Sequence, residues 1–477
     1  MRQKARGPTE RGDFQTPVAL AQDVTAWLQR RGLSPLTVVE PTCGRGTFLQ
    51  AALACWPKLQ VALGVELSRE YVAEANRNVG AARSIRILEG NFFAFPWREQ
   101  LCELPQPMLV LGNPPWITNS QLMAMGSTNL PVKKSQKGMS GLAAKTGRSN
   151  FDICESMIET MLSWPEPGSL AMLCKGQVAR RVLAQLFASE KNPERAPVCA
   201  FVHIDAKQHF GASVDAGLLW IDRLSIAEWP LHCDVFANLQ AEKPQSVLRF
   251  DGNVLVKSLA QNRRTGTSQA GNVPLRWRSG IKHDCARIME LSLQEGVLRN
   301  GEGAAVAIES DRIFPLLKSS DLSGVAGKNR PSRFLVVPQN RVGDDTSTLA
   351  KTAPATWQYL NKHGPPLDAR KSAIYRNRPR FAIFGVGPYT FMPWKVAISG
   401  LYKQSHFSLV GPIEGKPVVF DDTCVFLGFD TKEAAARMAE RLNAGPAQHA
   451  LQARVFWDSK RPITVEVLQA LLRDLSL

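Results

Sequence analysis

Apolar positions in the first half of the chain alternate between two spacings. VALAQDVTAWLQRRG (18–32) repeats apolar side chains at helical intervals and stops at Gly32, whereas LTVVE (36–40) is a short continuous apolar run. The same alternation continues. It gives a helix in GTFLQAALACW (46–56), a strand in QVALGVEL (60–67), a helix in REYVAEANRNV (69–79), and strands in SIRILEG (84–90) and PMLVLGN (107–113). After a polar gap come a helix in FDICESMIETMLSW (151–164), a strand in GSLAMLCKG (168–176) and a helix in QVARRVLAQLFAS (177–189). APVCAFVHID and SVDAGLLWIDRL read as closing strands. Strands separated by amphipathic helices predict an α/β fold with a mostly parallel, doubly wound sheet, whose ligands bind outside the carboxyl ends of the strands.

Beyond about residue 240 this alternation fades. Short apolar runs such as RFLVVP, RFAIFGV, KVAISGLY and PVVFDDTCVFLGF lie among Gly, Pro, Arg and aromatic residues, and two helical patterns, TKEAAARMAERLNAG and ITVEVLQALLRDL, close the chain. The change predicts two domains, 1–240 and 241–477, the second α+β, in keeping with a length of 477 residues.

Charge adds a partner to this picture. The formal net charge is +16 and the isoelectric point about 9.6, a balance that suits a polyanion or, alternatively, only a soluble surface. No apolar run reaches the length of a membrane span, and the charged start MRQKARGPTERGDF has no apolar segment behind it, so neither an anchor nor a signal peptide is expected. The nine cysteines are scattered without a CxxC pair, which predicts no metal site, no disulfide framework and a reducing cytoplasm.

Candidate chemistry concentrates at strand ends. The run MLVLGNPPWITNS (108–120) ends a buried strand in Asn113, Pro114, Pro115 and Trp116. The two prolines lack N–H groups, so the strand stops there and leaves carbonyls without ladder partners. By itself the tripeptide is also an ordinary strand exit. The first strand, however, runs into VVEPTCGRG, where Glu40, Gly44 and Gly46 mark a turn into a helix that is able to bring backbone N–H groups close to a ligand. The second strand ends in Glu66, placed to accept ribose hydroxyls, and the third is followed by Asn91 and Phe92, an amide for an adenine edge and a ring for its face. Three successive strand ends thus suit an adenosine-containing cofactor, while no GxxxxGK[ST] pattern favours a triphosphate.

DFQTP (13–17), EPTCGRG (40–46), Glu66, GNFF (90–93), LGNPPW (111–116), NFDICESMIE (150–159), GSLAMLCKG (168–176) and HFGASVDAGLL (209–219) occur in the order seen in the gamma class of adenine-specific DNA methyltransferases. The chain resembles that class over about residues 11–225. The resemblance implies a seven-stranded class I methyltransferase (Rossmann-like) sheet followed by a DNA target recognition domain. It also implies S-adenosylmethionine as cofactor, with Phe14, Thr16, Pro17 and the Glu40–Gly46 turn at its methionine end and Glu66 at its ribose. Asn91 departs from the family's usual aspartate, which predicts weaker cofactor binding.

The chemistry fits the motif. Adenine's exocyclic nitrogen is a poor nucleophile because its lone pair is delocalised; acceptors at the Asn113 side chain and the Pro114 carbonyl would localise it for in-line attack on a methyl sulfonium. Trp116 offers a stacking face for a base flipped out of the duplex, worth about 1–3 kcal/mol. Phe210 is the second aromatic wall the family implies, or else a core residue.

Basic clusters are the expected DNA contacts: Lys133, Lys134, Lys137, Lys145 and Arg148 in the polar stretch after Trp116, then Arg263, Arg264, Arg276 and Arg278, then Arg370, Lys371, Arg376, Arg378 and Arg380. The expected partner is double-stranded DNA; no fused nuclease is expected, which leaves a separate cognate restriction endonuclease open. Competing readings are a methyltransferase for protein glutamine or for the cytosine amino group, and a non-catalytic DNA-binding subunit of the same fold.

Overall fold

The computed structural model describes residues 14–80, 84–118, 152–164, 168–190, 192, 196–227, 231–251, 254–259, 275–322, 333–402, 405–459 and 461–475. Lys133, Lys134, Lys137, Lys145, Arg148, Arg263 and Arg264 lie outside them. The chain divides into two compact units, the described residues of the first running to Leu259 and those of the second beginning at Leu275. The expected boundary at 240 falls inside the first unit.

In the first unit, β1 (Thr37–Glu40), β2 (Val61–Glu66), β3 (Ile85–Glu89), β4 (Met108–Gly112) and β5 (Ser169–Lys175) run parallel. β7 (Ala216–Ile226) lies antiparallel between β5 and β6 (Pro197–Ile204). The sheet is longer than the expected seven strands. β8 (His232–Phe236) adds in parallel to β6, and β9 (Ser246–Asp251) and β10 (Val254–Leu259) follow as an antiparallel pair, so the order is β10-β9-β8-β6-β7-β5-β4-β1-β2-β3. β1 sits between β4 and β2, which makes the carboxyl ends of β1 and β4 the switch point of the sheet, where such folds open a ligand crevice.

β1 and β4 are buried at every position, as expected of central parallel strands covered on both faces. Their side chains join Leu20, Trp27, Leu28, Phe48, Leu49 and Leu218 in one core. Each fully buried ring or leucine there contributes about 1.5–3 kcal/mol relative to exposure.

The second unit holds a four-stranded and a five-stranded sheet. The four-stranded sheet packs Val396, Ile398, Val425 and Leu427 against helix residues Ala435, Leu442, Leu468 and Leu472. RFLVVP, KVAISGLY and the two halves of PVVFDDTCVFLGF form strands, at Arg333–Val336, Trp394–Ser399, Val419–Phe420 and Cys424–Phe429. RFAIFGV, expected as a strand, does not. The Ile383 amide donates to Gln339 Oε1 at 3.1 Å, the Ala382 carbonyl accepts from Arg370 at 2.8 Å, and only Phe384 makes a β-bridge, to Lys282. Gly385 holds φ +75°, outside the extended region, and a Cβ there would stand 2.3 Å from the Gly280 oxygen, so the backbone turns at a position that only glycine fits.

Candidate active site

A cavity of about 460 Å³ opens at the carboxyl ends of the central strands, and Phe14, Thr16, Glu40, Gly44, Glu66 and Phe92 line it together with Asn113 and Pro115. Four separate strand ends and the segment before the first helix, Val18–Arg30, thus meet at one place. The wall also includes Gln15, Thr42 and Cys43 from within those expected segments, and Ser68 and Tyr71 from outside them. Ser68 caps the helix Arg69–Val79 just after β2, and Tyr71 lies in that helix's first turn.

The glycine turn is required by geometry. Gly46 holds φ +76° as N-cap of the helix Thr47–Cys55, and a Cβ would lie 2.7 Å from Val79 Cγ2. Gly44 holds φ +49°, and its amide donates to Glu66 Oε2 at 2.9 Å. The other Glu66 oxygen accepts from the Ser68 amide at 2.9 Å. These two bonds orient the carboxylate in the cavity wall.

Glu40 is 3% exposed, and its Oε2 has no hydrogen-bond partner. Burial, then the nearby charge of Glu66, push its carboxyl well above the usual range, against some relief from the Leu49 amide. A buried, unpartnered carboxylate oxygen in a cavity wall suits a cationic ligand group.

Asn113 presents the second orphan. Its Nδ2 donates to the Phe14 carbonyl at 2.9 Å and to Thr16 Oγ1 at 3.3 Å, which fixes the amide so that Oδ1 points away; Oδ1 is buried with no partner. No donor among the described residues reaches the Pro114 carbonyl. Asn113 Oδ1 is thus a buried acceptor without a partner among the described residues where β4 ends, and Pro114, unlike Asn113 and Pro115, is not part of the cavity wall.

Other expected site residues are placed differently. Pro17 is the N-cap of the helix Val18–Arg30 and is outside the cavity wall. Asn91 is also outside it, its Oδ1 accepting from the Phe93 amide at 3.0 Å. An aspartate fits the same turn, and calorimetry on an Asn91→Asp variant is expected to show a cofactor affinity changed by less than about tenfold. Trp116 is 5% exposed, its Nε1 donating to the Leu173 carbonyl at 3.2 Å. Its ring lies 5.2 Å from Phe210 and 5.5 Å from Phe14, which are 5.7 Å from each other. Phe14 is thus a third member of the aromatic cluster, and a base stacking on Trp116 has to displace or share this cover.

These features fit a nucleoside cofactor with a cationic tail beside an amine-accepting site, and comparison with known proteins bears on the class. The type II methyltransferase M.NspV of Nostoc sp. (strain ATCC 29411 / PCC 7524) is 39% identical over 467 residues, 97% of this chain and 96% of the relative. The chain belongs to the type II methyltransferases of restriction-modification systems. As a type II methyltransferase it is a DNA methyltransferase of the restriction-modification kind. No family model matches it. Among solved structures, the type IIL restriction-modification enzyme MmeI in complex with DNA is 12% identical, covering 91% of this chain and 60% of its own, at a TM-score of 0.42. A type I methyltransferase subunit from Streptococcus thermophilus is 16% identical, covering 46% and 47%, at 0.31.

In the second unit of this type II methyltransferase the basic residues separate by environment. Arg370 donates to the carbonyls of Leu367 at 2.7 Å and Ala382 at 2.8 Å and stacks 3.8 Å over Tyr375. Arg380 pairs with Asp368 at 2.8 Å, and Arg278 stands 4.7 Å over Tyr389. Arg276, Arg376 and Arg378 are exposed, the last two flanking Asn377, whose φ of +57° marks a tight turn. No helix among the described residues is long and apolar enough to cross a membrane, and none of their His, Cys, Asp and Glu side chains cluster as a metal site.

Proposed function

We propose that this methyltransferase modifies the exocyclic 6-amino group of an adenine flipped from duplex DNA at a defined sequence, with S-adenosylmethionine as donor. The observation that carries the reading is the buried, unpartnered Asn113 Oδ1 beside the cavity that Glu40 and Glu66 line. When bound, the cofactor supplies an electrophilic methyl group on sulfur. Glu40 would receive its ammonium end, oriented Glu66 its ribose hydroxyls, and Gly90 and Phe92 its adenine. Asn113 Oδ1 and the Pro114 carbonyl would accept the two amino hydrogens of the target base, returning lone-pair density to the nitrogen as it attacks. No base is needed beforehand, because the proton leaves only after the nitrogen has become cationic.

Genomic DNA from a methylation-deficient host expressing wild type or Asn113→Ala, sequenced for base modifications, tests this. The expected result is 6-methyladenine at one motif, with wild type only. 4-Methylcytosine would reassign the target to cytosine, whose amino group the same acceptors fit. Unmodified DNA from a host holding folded, cofactor-binding wild type would overturn the reading.

The second unit is the proposed target recognition domain, and its arginines should divide by role. Arg376→Ala and Arg378→Ala are expected to weaken DNA binding. A phosphate contact lowers the salt slope by about 1, and a guanine contact relaxes one motif position at a cost of about 1–3 kcal/mol. Arg370→Ala, by contrast, should lower the melting temperature first, since its guanidinium holds the turn. Salt titrations of DNA affinity and motif profiling read the first pair; calorimetric melting reads the last.

A further inference from the structure

A charged pair grips the Asn113–Trp116 loop, and the proposed methyl transfer makes no use of it. Lys175 ends β5, and its ammonium donates to the Trp116 carbonyl at 2.9 Å and to Asp152 Oδ2 at 2.7 Å. The other oxygen of Asp152 accepts from the Cys154 amide at 3.2 Å and caps the helix Ile153–Leu162. The chain on either side is tied across as well: Thr118 bridges to Asp152, and the Ile153 amide donates to the Ile117 carbonyl at 2.8 Å. Two residues earlier on β5, the Leu173 carbonyl accepts from the Trp116 indole. One strand thus holds Trp116 by its backbone through Lys175 and by its side chain through Leu173.

The loop needs such a hold. Pro114 and Pro115 cannot donate to a neighbouring strand, so the ladder that fixes β4 ends before the two proposed acceptors are placed. A backbone amide would satisfy the Trp116 carbonyl at lower cost than a lysine and carboxylate whose side chains are 27% and 7% exposed. What the pair adds is a fixed direction, since Asp152 anchors the ammonium to a helix start and the ammonium anchors the carbonyl.

We propose that Lys175, aligned by Asp152, is a positioning residue for methyl transfer, fixing the Trp116 carbonyl and through the loop the Pro114 carbonyl that receives the target amine. This rests on the proposed reaction. It assigns Lys175 no contact with substrate.

The test uses the purified full chain as wild type, Lys175→Met, Lys175→Arg and Asp152→Asn. Single-turnover methylation of a duplex carrying the host-determined motif is measured at saturating DNA and cofactor, alongside cofactor affinity by calorimetry, melting, and hydrogen exchange at the Ile153 amide. Lys175→Met is expected to slow the saturated rate about tenfold, the factor that about 1.4 kcal/mol gives, with cofactor affinity unchanged and Ile153 exchanging faster. Lys175→Arg should restore most of the rate, because a guanidinium also donates to both oxygens. A Lys175→Met protein that melts lower yet turns over at the wild-type saturated rate would show a merely structural role and overturn the proposal. If Lys175→Met does not fold, Asp152→Asn, which keeps a good helix cap while removing the charge, gives the same reading: a slower saturated rate supports positioning, an unchanged one overturns it. Wild type that methylates no DNA fails the reaction, not the brace; the Ile153 amide then decides the brace, unchanged protection in Lys175→Met sinking it.

Discussion

Asn113→Ala is expected to lower the single-turnover methylation rate by about 10²–10³-fold, the loss seen when one preorganised polar group is removed from an active site, while the protein stays folded. The effect should be this large because the side chain does two things at once. Its Nδ2 pins the Phe14 carbonyl and Thr16, and that pinning is what leaves Oδ1 buried and free. Alanine removes the acceptor and also releases the segment that closes one side of the cavity. Asn113→Asp separates the two roles: it retains an acceptor but cannot donate to the Phe14 carbonyl, and it places a charge in a site with no cation from the protein among the described contacts of that group. Its rate should fall between those of wild type and alanine, with cofactor affinity reduced more than in a Thr16→Val variant, which loses only the longer bond. Rapid-quench measurement of methyl transfer, with calorimetry for the cofactor, reads both. An alanine variant within about tenfold of the wild-type rate would remove Asn113 from the reaction.

The cavity wall was legible in the sequence wherever it is built from strand ends. Glu40, Glu66 and Asn113 each close a continuous apolar run, and parallel strands bring their carboxyl ends to one edge regardless of loop details. What escaped notice depends on side-chain direction. For Trp116 the sequence gives no sign of its neighbours: a buried indole N–H needs a partner, and here it meets the Leu173 carbonyl while the ring packs beside Phe14 and Phe210. Asn91 satisfies its own turn, a local bond that asparagine makes readily after a strand. Lys175 drew no attention because a lysine ending a strand is usually solvated; its role depends on Asp152, which is far along the chain from it and whose helix cap looked like an ordinary start.

The fold shows the same division. β1 to β7 follow from apolar period and length, since each is bounded by turn residues or a helix. β8 to β10 were missed because they add to the edge of a sheet already complete in pattern, in a stretch whose texture resembles the second unit more than the first. In the second unit, the apolar side chains of RFAIFGV are needed for the core, where Phe381, Ile383 and Phe384 are buried. Apolar content alone predicts a strand, yet the backbone's partners there are the side chains of Gln339 and Arg370, and no local pattern announces them.

Glu40→Gln should move cofactor affinity and protein stability in opposite directions. In the free protein, burial and the Glu66 charge hold the Glu40 carboxyl well above the usual carboxylate range. Folding therefore takes up a proton, and the associated stability is complete below the unfolded value of about 4.3 and is lost as pH rises towards and through the raised folded value. Glutamine has no proton to lose, so the variant should be more stable than wild type at neutral and alkaline pH, with the difference vanishing at low pH. Glu155, raised to about 7 by burial against the relief from Arg181, gives both proteins a shared background that the comparison cancels. Binding runs the other way. A cationic group at Oε2 favours the carboxylate, so it lowers the Glu40 value and releases a proton; affinity should rise with pH across the interval between the bound and free values and then level off. Glutamine loses a charge-assisted bond of about 1.5–3 kcal/mol, roughly 10- to 150-fold in affinity at the upper plateau, and its affinity should be flat where that of wild type rises. Calorimetric titrations in two buffers of different ionisation enthalpy count the released proton directly. A wild type that binds cofactor with no proton release and no pH dependence would place the cation elsewhere and leave the buried Glu40 oxygen without a ligand.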